Sequence, residues 1–128
     1  SAVSKLPSEL RQVAEGRAMG RCEFCGIAQE NEPFFRFHVD HVVARQHGGE
    51  TASGNLALAC HFCNRHKGPN LSSIDPSTGD LVPLFHPRSD VWAEHFAHSG
   101  DRIEGRTAVG RATATLLRMN APNRRALR

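Results

Sequence analysis

The chain has 128 residues, and its 16 Lys and Arg residues against 13 Asp and Glu residues give a formal net charge of +3. This length suits one hydrophobic core, so we predict a single domain over residues 1–128. No run approaches the roughly 18 apolar residues of a membrane span, and the first residues lack the apolar core of a secretory signal. We therefore expect no membrane partner and a cytoplasmic location.

Two elements are predicted before residue 50. The segment PSELRQVAEGRA, residues 7–18, has the apolar spacing of a short helix that ends before Gly20. The segment FFRFHVDHVV, residues 34–43, has the alternation of a strand, which Gly48 and Gly49 then break. One strand face would carry Phe35, Phe37 and Val39, and the other would carry Arg36, His38 and Asp40.

A second strand and a helix follow the glycine loop. The segment NLALAC, residues 55–60, reads as a short strand, and HFCNRHKG after it can start a helix that stops at Gly68. The predicted order is strand, glycine loop, strand and helix, with residues 22–68 as its core.

Four cysteines form two C-x-x-C pairs, which are Cys22 with Cys25 and Cys60 with Cys63. Two such pairs can supply the four thiolates of a closed structural zinc site. Two disulfides or free buried thiols are the alternatives, but a reducing compartment argues against disulfides. The spacing therefore favours structural Zn²⁺.

The extension over residues 70–128 is predicted to add a hairpin and a helix. SSIDPSTGDLVPLFH reads as a turn between two extended runs, and its aspartates are better explained by turn chemistry than by calcium. VWAEHF has helical spacing and is predicted to pack in the core. TAVGRATATLLRMN predicts a helix capped by Thr107.

Basic residues are concentrated at the C-terminal end, where residues 101–128 hold seven basic and two acidic residues. A basic segment is typical of a polyanion partner, although arginines on a terminal helix are as often a solvated face. Arg124, Arg125 and Arg128 are the residues that could follow a nucleic-acid backbone.

The segments HVDHVVARQHGG and GNLALACHFCNRHKG together resemble the HNH nuclease family in its cysteine-bearing form. The shared pattern is an Asp-His pair, a glycine loop, an Asn-Leu step, and C-x-x-C followed by His or Asn and then x-x-Lys. The resemblance implies an α+β fold with a small ββα-metal core, to which the predicted N-terminal helix and C-terminal hairpin and helix are added. It also implies metal-dependent cleavage of nucleic-acid phosphodiesters, with DNA as the first candidate substrate.

The resemblance assigns roles to four residues. Asp40 and Asn64 are implied to bind the catalytic metal, His41 to act as general base, and Asn55 to steady the loop that carries the base. Asn64 stands where the family often has histidine, although asparagine also occurs there. This variant matters because it changes the ligand set from imidazole to amide oxygen.

The chemistry of these residue types agrees with the implied roles. Histidine titrates near pH 6.5, so a neutral imidazole can accept the proton of an attacking water near neutral pH. Carboxylate and amide oxygens suit Mg²⁺ or Mn²⁺ better than zinc. We therefore predict two different metals, which are Zn²⁺ on the cysteines and Mg²⁺ or Mn²⁺ on Asp40 and Asn64.

Several nearby residues have more than one interpretation. His38 shares a strand face with Asp40, so it is either a third ligand, a partner of a ligand, or a structural histidine. Lys67 either contacts a phosphate beside the scissile one or is simply solvated. His61 is expected on the surface. Because neighbouring strand residues face opposite sides, a bend after Asp40 is expected to free His41.

Two functional classes follow from the sequence. The first is a metal-dependent HNH endonuclease that hydrolyses nucleic acid. The alternative is a catalytically inactive, zinc-stapled nucleic-acid-binding module. The sequence does not determine the oligomeric state or the strand preference.

Overall fold

The structure of the protein is a computed structural model that describes residues 6–128. The helices are α1 (Ser8–Ala18), α2 (His61–Lys67), α3 (Trp92–His95), α4 (Ala108–Leu116) and α5 (Pro122–Arg125). The strands are β1 (His38–His41), β2 (Leu56–Ala59), β3 (Ser72–Ile74), β4 (Leu81–Pro83), β5 (Phe96–Ser99) and β6 (Arg102–Gly105). They pair as three separate antiparallel hairpins, β1 with β2, β3 with β4, and β5 with β6. This mixture confirms the predicted small α+β fold.

The unit of two strands and one helix is centred on the β1–β2 hairpin. The strands pair with His38 opposite Ala59 and His41 opposite Leu56. All four residues of β2 are buried, and α2 begins two residues after it. Helix α2 ends where Gly68 takes a positive φ of 51°. The predicted order of strand, loop, strand and helix is therefore present.

Strand β1 is shorter than the strand predicted over residues 34–43. The backbone of Phe35 and Phe37 bonds to the side chain of Gln29 instead of to a neighbouring strand. The Gln29 side chain donates to the carbonyl of Phe35 (3.0 Å) and accepts from the amide of Phe37 (2.7 Å). Phe37 is buried in the core as expected. Phe35 is 42% exposed and precedes β1, so its predicted place on a strand face is wrong.

The C-terminal extension packs on the same core as the β1–β2–α2 unit. Phe85, Phe96, Ile103 and Leu117 belong to one buried cluster that also contains the cysteines. The Trp92 indole donates to the carbonyl of Phe24 at 2.8 Å and ties the extension to the first cysteine pair. The extension therefore packs against the part of the molecule that carries the cysteines.

Two local predictions for the extension are confirmed. Thr107 caps α4 by accepting a hydrogen bond from the amide of Gly110 at 3.1 Å. Asp75 lies in the turn between β3 and β4 and accepts from Ser77 and Thr78, as turn chemistry requires.

VWAEHF forms only the single turn α3 before the chain enters β5. Within residues 6–128, none of the helices has the length and apolar character of a membrane span.

Candidate active site and metal centre

The four cysteines come together at one buried point. Their sulfur atoms lie within 4.8 Å of one another, and those of Cys25 and Cys60 are 3.7 Å apart. Zinc–sulfur bonds of about 2.3 Å place tetrahedral thiolates roughly 3.8 Å apart, so the cluster fits one Zn²⁺. A disulfide would need sulfurs about 2.05 Å apart, and all four cysteines are free. The predicted pairing of the two C-x-x-C motifs is confirmed.

Each cysteine pair forms the tight turn that a shared metal requires. The amide of Cys25 donates to the Cys22 sulfur at 3.5 Å, and the amide of Cys63 donates to the Cys60 sulfur at 3.4 Å. Such amide bonds stabilise the thiolate form. The two turns therefore place four sulfur atoms close enough together to bind one metal ion.

Arg124 is buried beside this cluster, which the sequence did not indicate. Its guanidinium donates to the Cys63 sulfur at 2.9 Å and to the carbonyl of Leu117 at 2.8 Å, and it lies 5.1 Å from the Phe62 ring centre. Burial alone would lower the pKa of Arg124, but the nearby cysteine sulfurs raise it above its usual value. The guanidinium therefore stays charged and offsets thiolate charge.

Part of the basic C-terminal segment is neutralised within the protein. Arg111 donates two hydrogen bonds to buried Asp75 and holds the pKa of that carboxyl below its usual range. Arg125 pairs with Asp101 at 3.0 Å. The prediction that Arg124 follows a nucleic-acid backbone is wrong, because its side chain is 1% exposed.

Helix α2 lies over the face of β1 that carries His38 and Asp40. The ring centres of His38 and His61 are 5.8 Å apart, and the Lys67 ammonium is 3.2 Å from Oδ2 of Asp40. Asn64 is three residues from both His61 and Lys67, so it lies on the same helix face between them. The structure therefore brings His38 and Asp40 into contact with α2, the helix that carries Asn64.

Lys67 and Asp40 form a shielded ion pair. Lys67 is 2% exposed, so its interpretation as a solvated lysine is wrong. Burial raises the pKa of Asp40 above its ordinary value, although the nearby Lys67 ammonium acts in the opposite direction. Oδ2 of Asp40 is buried and makes no hydrogen bond within the described residues. The Lys67 ammonium therefore already supplies a positive charge at this oxygen, and binding of a hard divalent ion by Asp40 and Asn64 stays a prediction.

His41 ends β1 on the opposite side from Asp40. Strand pairing continues from Asp40 opposite Ala57 to His41 opposite Leu56, so the predicted bend after Asp40 is wrong. The chain leaves the sheet only at residue 42. Nε2 of His41 lies 2.8 Å from the Thr51 hydroxyl, a partner that no sequence pattern indicated. Thr51 thus fixes the orientation of the imidazole from the far side of the glycine loop.

Asn55 closes the loop that follows His41. Its side chain accepts from the amide of Val43 at 2.9 Å and donates to the carbonyls of Val43 (3.0 Å) and Glu50 (2.9 Å). Its backbone carbonyl accepts from Val42 at 2.9 Å. This is the loop-steadying geometry expected for Asn55, and its effect on reactivity stays a prediction.

The two glycines of this loop serve different purposes. Gly48 has a positive φ of 88° and open space around it. A Cβ on Gly49 would lie 1.7 Å from the carbonyl oxygen of Val43 and 2.9 Å from Nδ2 of Asn55. Gly49 therefore allows the close approach on which the Asn55 contacts depend.

We expect Gly49→Ala to lower the free energy of unfolding by about 1–3 kcal/mol, because the methyl group forces the loop away from Val43. Gly16→Ala is the matched control, since a Cβ there meets nothing within 4 Å. The control should gain about 0.5–1 kcal/mol as a helix-interior glycine is replaced. Urea unfolding measures both changes, and equal stabilities would contradict the close approach.

One cavity lies away from Asp40, His41, Asn55 and Asn64. It has a volume of about 700 Å³ and is lined in part by Arg17, Phe85, Trp92 and His98. A second cavity of about 280 Å³ is lined in part by Lys67 and Val42. The described Asp40, His41, Asn55 and Asn64 line neither of these two cavities.

Residues 22–70 match the family model described as HNH endonuclease. The match covers less than half of the chain and includes both cysteine pairs and Asp40, His41, Asn55 and Asn64. It confirms the resemblance seen in the sequence for this segment. No curated protein and no solved structure matches the chain.

Proposed function

We propose that the protein is a metal-dependent endonuclease that hydrolyses phosphodiester bonds of nucleic acid, with DNA as its first candidate substrate. The match of residues 22–70 to the HNH endonuclease model carries this proposal. The contact between β1 and α2 adds support, because it places the helix that carries Asn64 against the strand that carries Asp40 and His41.

In the proposed mechanism His41 removes the proton from the attacking water. The Thr51 hydroxyl can accept from Nε2–H of His41, which leaves Nδ1 as the proton acceptor. Asn55 holds the loop between the two residues in place. Mg²⁺ or Mn²⁺ held by Asp40 and Asn64 would supply positive charge for the phosphoryl and leaving oxygens. The scissile phosphate would reach both groups across the end of β1.

The direct test is incubation of the purified protein with supercoiled plasmid and added Mg²⁺ or Mn²⁺. We expect cleavage that depends on the added ion and is greatly reduced in Asn64→Ala, because that variant lacks one oxygen ligand. Asn70→Ala, which changes an exposed asparagine just beyond α2, is the matched control and should cut like the wild type. Equal cutting by Asn64→Ala would contradict the ligand assignment.

One observation favours the alternative of an inactive nucleic-acid-binding module. The Lys67 ammonium lies 3.2 Å from Oδ2 of Asp40 and already supplies a positive charge to that ligand. Such a cation opposes binding of a second one at the same oxygen. A wild-type protein that binds nucleic acid and cuts neither DNA nor RNA with any added ion would support this alternative.

A further inference from the structure

The rings of Phe35, His61 and His38 follow one another beside the candidate active site, and Phe34 precedes Phe35 in the chain; we call these four residues the ring surface. The rings of Phe35 and His61 stack with centres 3.9 Å apart and planes 8° apart. The ring centres of His61 and His38 are 5.8 Å apart. Phe34 is 84% exposed. None of these rings has a role in the fold of the core.

The backbone beneath the ring surface is held in place. Glu32 is buried, and its carboxylate accepts from the amide of Phe34 at 3.1 Å. The Gln29 side chain bonds to the backbone of Phe35 and Phe37 on the other side. Phe62 supports the stack edge-on, 6.2 Å from the Phe35 ring. The exposed rings are therefore presented in a defined position.

The ring surface leads directly to the candidate catalytic residues. His38 shares a strand face with Asp40, and His61 shares a helix face with Asn64. Arg36, the next residue after Phe35, has a 74% exposed side chain; its guanidinium lies 3.6 Å from a carboxylate oxygen of Glu15, and such an exposed pair leaves it able to meet a phosphate. Planar apolar rings beside an exposed cation are the features with which proteins hold unpaired bases and their backbone.

We propose that the ring surface stacks against unpaired nucleobases of the substrate, so that cleavage occurs beside single-stranded or locally unpaired segments. This rests on the proposed function and names its substrate class. A paired base inside an intact duplex has both faces covered by its neighbours and cannot stack on Phe34 or Phe35. The preference for unpaired bases therefore comes from the rings and not from base-edge hydrogen bonds.

Binding is tested with the His41→Ala protein, so that the probe stays uncut. The probe is a fluorescent single-stranded DNA of about 12 nucleotides, within the ~4–16 nucleotides of known single-strand sites. Stacking of about 1–3 kcal/mol per base predicts that adding Phe34→Ala weakens binding roughly 5-fold to 150-fold. Phe34→Leu should weaken it similarly, because leucine lacks a ring, and Phe34→Tyr should preserve it.

Two controls separate stacking from other effects. Leu81→Ala removes an apolar side chain of similar exposure (68%) from the β3–β4 hairpin and should leave binding unchanged. An abasic strand of equal length keeps the phosphates, so it should bind weakly and be insensitive to Phe34→Ala. A blunt duplex should also be insensitive to that change. Equal binding of the strand with and without Phe34, or an equal effect on the abasic strand, would overturn the proposal.

Failure of this inference is distinguishable from failure of the proposed function. If the wild type cuts no nucleic acid but Phe34→Ala weakens strand binding, the ring surface is supported and the endonuclease proposal fails. If the wild type cuts plasmid while Phe34→Ala changes neither strand binding nor cutting, the ring surface is overturned and the endonuclease proposal stands.

Discussion

We expect His41→Ala to lower the rate of plasmid cleavage by about 10²-fold to 10⁴-fold, the usual loss when a general base is removed. The fold should survive, because the side chain makes one polar contact, to Thr51, at the end of β1. Initial cleavage rates with Mg²⁺ or Mn²⁺ measure the loss of activity, and thermal unfolding measures whether the fold survives. Equal rates for variant and wild type would remove His41 from the mechanism.

His47→Ala is the matched control for this experiment. His47 lies six residues further along the same loop and is exposed, so its loss changes the residue type without touching the β1–α2 contact. Its rate should equal that of the wild type. We expect Thr51→Val to cleave at a rate between those of the wild type and His41→Ala, because it keeps the imidazole but removes the hydroxyl that orients it.

The second large effect concerns the cysteine cluster. We expect the purified protein to contain one zinc per chain, and Cys63→Ser to lose the metal and most of the stable fold. Structural zinc contributes on the order of 10 kcal/mol in small domains, which matches or exceeds the whole stability of a typical domain of about 5–15 kcal/mol. Metal analysis and circular dichroism measure the two losses.

His61→Ala provides the comparison for Cys63→Ser. His61 lies between the cysteines of the second pair, yet its ring stacks on Phe35 and not on the sulfurs. This variant should therefore keep its zinc. If Cys63→Ser retained both zinc and the native spectrum, a four-sulfur zinc site would be contradicted.

The parts of the site predicted from sequence are those that depend on short-range spacing. The C-x-x-C pairs form tight turns because two intervening residues allow an amide to reach the first sulfur. The side chain of Asn55 bonds to the loop because the glycines let the backbone come close. Such features follow from a few neighbouring residues and are visible as patterns.

The parts that sequence did not indicate depend on how distant elements pack. The Lys67–Asp40 pair exists because α2 crosses the His38 face of β1, and nothing in either segment specifies that crossing. Thr51 reaches His41 only after the loop has folded back. The strand was predicted too long because alternation over residues 34–37 is overridden by the side chain of Gln29.

The contact between Arg124 and the cysteine cluster also constrains the order in which the chain assembles during synthesis. Arg124 is made 61 residues after Cys63, which is a delay of roughly 3–12 s at about 5–20 residues per second. All four thiolates are available to metal before the guanidinium exists, and a zinc site with four thiolates carries a formal charge of about −2. Docking of α5 can therefore occur only after all four cysteines have been made, and it gives the buried sulfurs a compensating positive charge.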